Sequence, residues 1–372
     1  LDFTQHKFYA VRGLGSGFPY DADVHQAILG KKIGVEFMKI NFAIIGLLSL
    51  LVAGQVSGQD CAADGDVQFL CGPVSPEDLA QVPETDWIVA AGMEDDGYLY
   101  LVNSASLNTE TVYPSANANH QWDRQLYAAC PGPQTEEFRP HGLHLVPGEN
   151  NSHLLLVVRH GARESIEVFT IDASATMPSM TWVGCVEAPE GVVFNSVAAT
   201  PEGGMVATHF QLPMGVVYEW GPQSDWEQVP GSESPGPNGI EISPDGNWLY
   251  IGGWGSRSLI KLSRGQQEVT VDSVAVSHHI DNVRWADDGS LLAAGHVGPE
   301  PASIMTCLSQ QQCESVSTRV TRVDVNNLSA QQIIDYPSNP LFLLGTVAIE
   351  VGDEIWVGGI AGSDRIARFE NR

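Results

Sequence analysis

One unit recurs along this chain and limits what it can fold into. A polar residue opens a short apolar strand, a tight turn follows, and a second strand returns. The clearest copy runs Pro237-Asn238-Gly239-Ile240-Glu241-Ile242-Ser243-Pro244-Asp245-Gly246-Asn247-Trp248-Leu249-Tyr250-Ile251. Its Pro-Asp-Gly is a turn tripeptide between two alternating strands. Asn195 to Thr208 and Asp281 to Ala294 repeat the pattern, and weaker copies begin at Glu77, His141 and Gly345. A multi-strand repeat of this period is the signature of a β-propeller. The chain has 372 residues, of which Gly 38 and Pro 22 supply turns and disfavour long helices. The competing architecture is a β-sandwich whose hairpins merely look alike, but sandwich domains rarely reach this length. The expectation is an all-β, six-bladed β-propeller.

Propeller geometry gives the copy starts a shared meaning. The innermost strand of each blade lines a central channel, so equivalent starts point at one axis. Here they are Glu77, His141, Asn195, Asn238 and Asp281. Oxygen-bearing side chains converging on an axis make a hard-cation site, and calcium takes about six to eight oxygens. The expected channel is therefore metal-binding. Each position also has a plainer reading. Asn238-Gly239 is a common turn dipeptide, and Asn195 suits a strand cap. Glu77-Asp78 suits a helix start after Ser75-Pro76, and Asp281-Asn282 suits an ordinary loop. Their coincidence at one phase of successive repeats favours the ligand reading.

The first methionine is Met38. A basic start there, an apolar run from Phe42 to Ala53 and small residues ending at Gly58 describe a signal peptide over 38–58. The run is short for a membrane span, so no membrane insertion is expected after cleavage. Residues 1–37 are read as an upstream segment outside the fold, and 59–372 as one propeller domain. Export, to a periplasm or extracellular medium, would put all six cysteines in an oxidising compartment. Cys307 and Cys313 flank a polar loop and are expected to pair. Cys61 with Cys71 and Cys130 with Cys185 complete one plausible set, although spacing does not fix connectivity. With Lys+Arg 18 against Asp+Glu 45 the net charge is -27, which excludes nucleic acid as a partner.

Several segments resemble the paraoxonase/arylesterase family, within the wider group that includes gluconolactonase (senescence marker protein) enzymes. They are Ser75-Pro76-Glu77-Asp78-Leu79; Arg139-Pro140-His141-Gly142-Leu143 with His160; Phe194-Asn195-Ser196-Val197; Asn238-Gly239-Ile240 with Ser243-Pro244-Asp245; and Ile280-Asp281-Asn282. The closing Gly345-Thr346-Val347 and Ile355-Trp356-Val357-Gly358 resemble the last blade. The resemblance implies a catalytic Ca2+ held by Glu77, Asn195, Asn238, Asp281 and Asn282. It also implies a second, structural Ca2+ held by Asp78, the Leu143 carbonyl and the residue after Asn195. That residue is Ser196, where the family has an acid, so one carboxylate is missing. The family's end-to-end disulfide is absent too, because the C-terminal tail has no cysteine. Its amphipathic helix after the third blade has no counterpart between Gln211 and Pro235.

The chemistry follows from the ion's charge. A channel cation would polarise an ester or lactone carbonyl, and His141 beside it has a pKa range suited to a general base. His160 ends the next strand and would orient or relay the proton, a pair resembling the paraoxonase dyad. His144 is expected to be structural, and His278-His279 to lie behind the ligands or in solvent. His120, His153 and His296 carry no constellation. No GxSxG elbow, phosphate loop or dinucleotide fingerprint appears. The leading expectation is a calcium-dependent hydrolase of lactones and aryl esters acting on small molecules. The alternatives are a gluconolactonase-like sugar-lactone hydrolase without the dyad, and a non-catalytic calcium-stabilised binding propeller.

Overall fold

A computed structural model describes residues 61–311 and 313–371. The expected upstream segment and signal peptide lie outside the described residues. The rest is built from six small sheets, each a blade, antiparallel except for the short edge strand Asn119–His120, which pairs parallel in the second. Their innermost strands are Pro76–Gln81, Phe138–Val146, Phe194–Ala199, Pro237–Ile242, His279–Trp285 and Leu344–Val351. Successive inner strands pack side by side, and the sixth returns to the first. The chain is the expected six-bladed β-propeller.

Each sheet is covered on both faces by its neighbours, so blade strands are apolar on both sides. Trp87–Gly92 is buried from Ile88 onward. The core is accordingly a set of layers between blades. Ala198, Val206 and Val217 of the third blade pack on Ile240, Leu249 and Ile251 of the fourth. Leu79, Ile88 and Val102 of the first blade pack on Val347 and Trp356 of the sixth. Pro244-Asp245-Gly246 makes the expected turn, with Gly246 at φ +73 and its N–H bonded to the Ser243 carbonyl at 2.8 Å.

The ring closes through a strand. Gln68–Cys71 pairs antiparallel with Arg365–Glu370 and completes the sixth blade from the opposite end of the chain. Cys61–Cys71 ties the end of that strand to the segment before it. Cys130–Cys185 and Cys307–Cys313 are the other two bonds. The segment before Cys313 is not the expected polar loop. It is a helix, Pro301–Gln310, the one helix among the described residues, with Ile304 and Cys307 buried. Pro301 at its first position is pre-set for helix, and the buried faces pack on Trp254 and Leu344. No described helix is long and apolar enough to cross a membrane.

A shared irregularity positions the channel residues. In all six blades the pairing of the innermost strand slips near its start. The shifts lie at Pro76/Asp78, Pro140/Leu143, Phe194/Val197, Pro237/Ile240, Ile280/Val283 and Gly345/Val347. Each is a β-bulge, which bends a strand and re-aims side chains. Glu77, His141, Asn195, Asn238, Asp281, Asn282 and Thr346 all fall inside these shifts. Two glycines let the bulges approach. A Cβ on Gly142 would lie 2.6 Å from the Asn195 carbonyl oxygen, and one on Gly239 2.6 Å from the Asn282 Cα. Asn238-Gly239 is thus part of a strand rather than a turn, and Glu77-Asp78 begins a strand rather than a helix.

Candidate functional site

The bulges collect two layers of polar side chains in the channel. The upper layer holds Glu77, His141, Asn195, Asn238, Asp281 and Asn282. The Asn282 amide donates to Glu77 Oε1 at 2.6 Å, across 205 residues of chain. The Asn238 side chain hydrogen bonds the Asp281 carboxylate. An amide that spends its N–H on a carboxylate leaves its oxygen for another partner. No such partner exists among the described residues. Glu77 Oε2 and the Oδ1 atoms of Asn195, Asn238 and Asn282 are buried and lack any hydrogen bond. Native interiors rarely tolerate this, because each unmet polar atom costs about 1–3 kcal/mol.

The carboxylates tell the same story. Glu77 is 1% and Asp281 6% exposed. Burial, with Asp78 and Asp281 nearby, pushes the Glu77 carboxyl well above its usual range. Burial also pushes Asp281 up to about 7, against the hydrogen bond from Asn238. These groups need a positive charge that no side chain in their layer provides. Among the described residues no three His, Cys, Asp or Glu side chains cluster closely enough to hold a metal. Amide oxygens must therefore supply part of any ligand shell. Two carboxylates and three amides, with no thiolate, suit a hard cation such as calcium rather than zinc. On the evidence of the orphaned oxygens, the residues fit the ion.

His141 borders this layer. Its Nε2 lies 3.6 Å from Glu77 Oε1, and its Nδ1 lies 2.9 Å from His160 Nε2. His160 Nδ1 lies 2.7 Å from Glu164 Oε2, whose side chain reaches solvent. An ionised carboxylate only accepts, so His160 Nδ1 carries the proton and its Nε2 accepts one from His141 Nδ1. His141 Nε2 is then left with a free lone pair facing the channel. Burial, followed by the repulsion that a second positive charge on the His141–His160 pair would meet and by the charge of Arg139, holds the His141 imidazole well below its usual range. The ring is neutral at neutral pH. Over this end lies a cleft of ≈ 630 Å³, lined by Met93, Arg139, His160, Glu164 and Val193 among others.

The lower layer holds Asp78, Leu143, Glu241 and Arg284. Asp78 accepts the Leu79 N–H at 2.8 Å and the Leu143 N–H at 2.6 Å. The Arg284 guanidinium donates to Asp78 Oδ2, to the Leu143 carbonyl at 2.8 Å and to Glu241 Oε1 at 3.4 Å. Ser196 Oγ accepts the Ile240 N–H at 3.4 Å. Burial opposes the guanidinium charge, but Asp78, Glu241 and Glu77 outweigh it and raise its pKa. Burial pushes Glu241 up to about 7 against the pull of Arg284.

The structure thus brings together the residues named for the first ion and the two histidines. It places Asp78 and the Leu143 carbonyl around a guanidinium. Sequence reasoning passed over three residues. Glu164 follows His160 by four positions, a spacing that could have been noticed. Arg284 sits three residues after Asp281 on the same inner strand. His296 was left without a constellation, yet its Nε2 lies 3.3 Å from Asp281 Oδ2 in a buried position. His278 and His279 are buried, not in solvent. His279 Nδ1 meets the Trp254 carbonyl at 2.7 Å, and His278 Nε2 the Ala293 carbonyl at 3.1 Å. His144 lies in the lower half, 3.8 Å from Glu241.

No protein-family model matches the chain, and no curated protein does. Solved structures do. A protein provisionally named a gluconolactonase aligns with a TM-score of 0.50 at 13% identity, covering 82% of this chain and 91% of its own. A luciferin-regenerating enzyme aligns with a TM-score of 0.50 at 11% identity, covering 82% and 94%. A calcium-binding regucalcin from Agrobacterium tumefaciens aligns with a TM-score of 0.48 at 12% identity, covering 81% and 90%. At these identities the feature shared with the first two is the fold, and the chain is similar to them as one propeller to another.

Proposed function

We propose that this protein is an exported, calcium-dependent hydrolase of lactones and esters whose base is His141. The observation that carries this reading is the set of unpartnered oxygens on Glu77, Asn195, Asn238 and Asn282 beside the free Nε2 of His141. A gluconolactonase name on one fold neighbour supports a lactone substrate, and three disulfides support export. Bound by those oxygens, a divalent cation supplies positive charge that polarises a carbonyl.

The chain's own residues do the rest. His141 Nε2 takes the proton from the attacking water. His160 accepts the hydrogen bond from Nδ1 and fixes the tautomer that leaves Nε2 free. Glu164 accepts from His160 and stabilises positive charge on the pair, as a carboxylate does behind a histidine base. The half-open cleft at this end admits a small molecule and lets product leave.

The test is hydrolysis of a γ-lactone and of phenyl acetate by residues 59–372, with calcium and with a chelator. Turnover that needs calcium, and falls about 10²–10⁴-fold in His141→Gln while calcium still binds, is the expected result. Turnover unchanged in His141→Gln removes the dyad and leaves the gluconolactonase-like route. Calcium binding without turnover of either substrate favours a binding propeller.

A further inference from the structure

The lower layer has the makings of a second cation site, but a side chain fills it. Asp78 Oδ2, the Leu143 carbonyl and Glu241 Oε1 come from three different blades and meet at one point. All three belong to buried residues: Asp78 and Leu143 are 0% exposed and Glu241 is 4%. Oxygens so arranged are a donor set for a hard cation. The occupant is the Arg284 guanidinium, which reaches them from the fifth blade, 206 residues along the chain from Asp78. Its planar fork gives Nη2 to Asp78 and Leu143 and Nη1 to Glu241 and the Val283 carbonyl. The serine at 196, where the resemblance calls for an acid, agrees with this: a monovalent guanidinium needs one carboxylate fewer than a divalent ion.

We propose that Arg284 is a built-in cation standing in the place of a second metal ion, and that the channel therefore takes up one divalent ion rather than two. Removing the guanidinium uncovers a second divalent-cation site formed by Asp78, Glu241 and the Leu143 carbonyl. That site is open to solvent from the end of the channel away from His141, where a cavity of ≈ 390 Å³ is lined by Leu143, His144, Glu241 and Arg284. The count of one in the unaltered chain rests on the calcium reading of the upper layer. The exchange at Arg284 does not.

Calcium bound per chain, measured by elemental analysis after gel filtration and by calorimetry, tests this in the unaltered protein, Arg284→Ser and Arg284→Lys. Arg284→Ser is expected to hold one more calcium than the unaltered chain and to unfold at a higher temperature in millimolar calcium than in chelator by a wider margin. Arg284→Lys keeps a cation in place and is expected to hold no extra ion. Equal calcium in Arg284→Ser and the unaltered chain overturns the proposal, as does a Ser variant that stays unfolded in calcium. Two ions in the unaltered chain overturn it directly, with no variant needed. An unaltered chain that binds none removes the calcium reading of the upper layer alone, and the difference between the two proteins still decides the exchange.

Discussion

Glu77 and Asp78 are adjacent in sequence and equally buried, and burial raises both carboxyls, yet only Asp78 has a cation set against that cost. Asp78 has two backbone N–H donors and a guanidinium. Glu77 has one amide on one oxygen and nothing on the other. A bulge makes this contrast possible, because ordinary strand alternation would send consecutive side chains to opposite faces. The lower layer is neutralised from within and behaves as part of the fold. The upper layer is left short of positive charge, as the proposed cation site requires. Buried acids are informative about function only after their counter-charge has been traced.

The largest expected effect separates the layers. Asp78→Asn strands the buried guanidinium and should cost about 3–5 kcal/mol of stability, equally with calcium and with chelator. Glu77→Gln should cost little in chelator, because it removes a carboxylate that burial already disfavours, but it should abolish stabilisation by calcium. Urea unfolding of both variants in both conditions checks this. Equal losses in all four measurements would erase the distinction between the layers.

A smaller effect concerns the approach of the blades. Gly239→Ala places a methyl 2.6 Å from both the Asn282 Cα and the Asp281 carbonyl oxygen. It should cost about 1–3 kcal/mol and weaken calcium binding, since it pushes apart two blades that share the upper ring. Unchanged calcium affinity by calorimetry would show that the ring does not depend on this contact.

The smallest effect is one of pH. Without a cation, Asp281 has its carboxyl pushed up to about 7 by burial, so below that pH it holds a proton that calcium must displace. Asp281 makes calcium affinity rise with pH up to about 7, by at most about tenfold per unit, and Glu77, whose carboxyl burial also raises, steepens that rise. By the same sign, the cation-free fold gains stability from this group as pH falls from about 7 toward its unfolded value. Calorimetric titrations at several pH values check the first statement.

Much of this was legible in the sequence because it is local. Pro244-Asp245-Gly246 declares a hairpin, and the starts at Glu77, Asn195, Asn238 and Asp281 share a phase. What was not legible depends on backbone irregularity or on distant partners. Bulges have no residue signature of their own, so the family resemblance, and not strand alternation, is what puts both Asp281 and Asn282 in the channel. Arg284 reads as an ordinary strand cation until the ring closes and brings Asp78 to it. The helix Pro301–Gln310 was hidden because it is too short to stand alone and its stability comes from packing on Trp254 and Leu344 and from the Cys307–Cys313 bond.

The most direct test is thermal unfolding of the unaltered protein, stripped of metal and then titrated with calcium. The account predicts a melting temperature that rises with calcium in a saturable way, falls again with chelator, and no longer responds in Glu77→Gln. Identical melting curves with calcium and with chelator would contradict it, for the unpartnered oxygens of the upper ring would then serve something other than a cation.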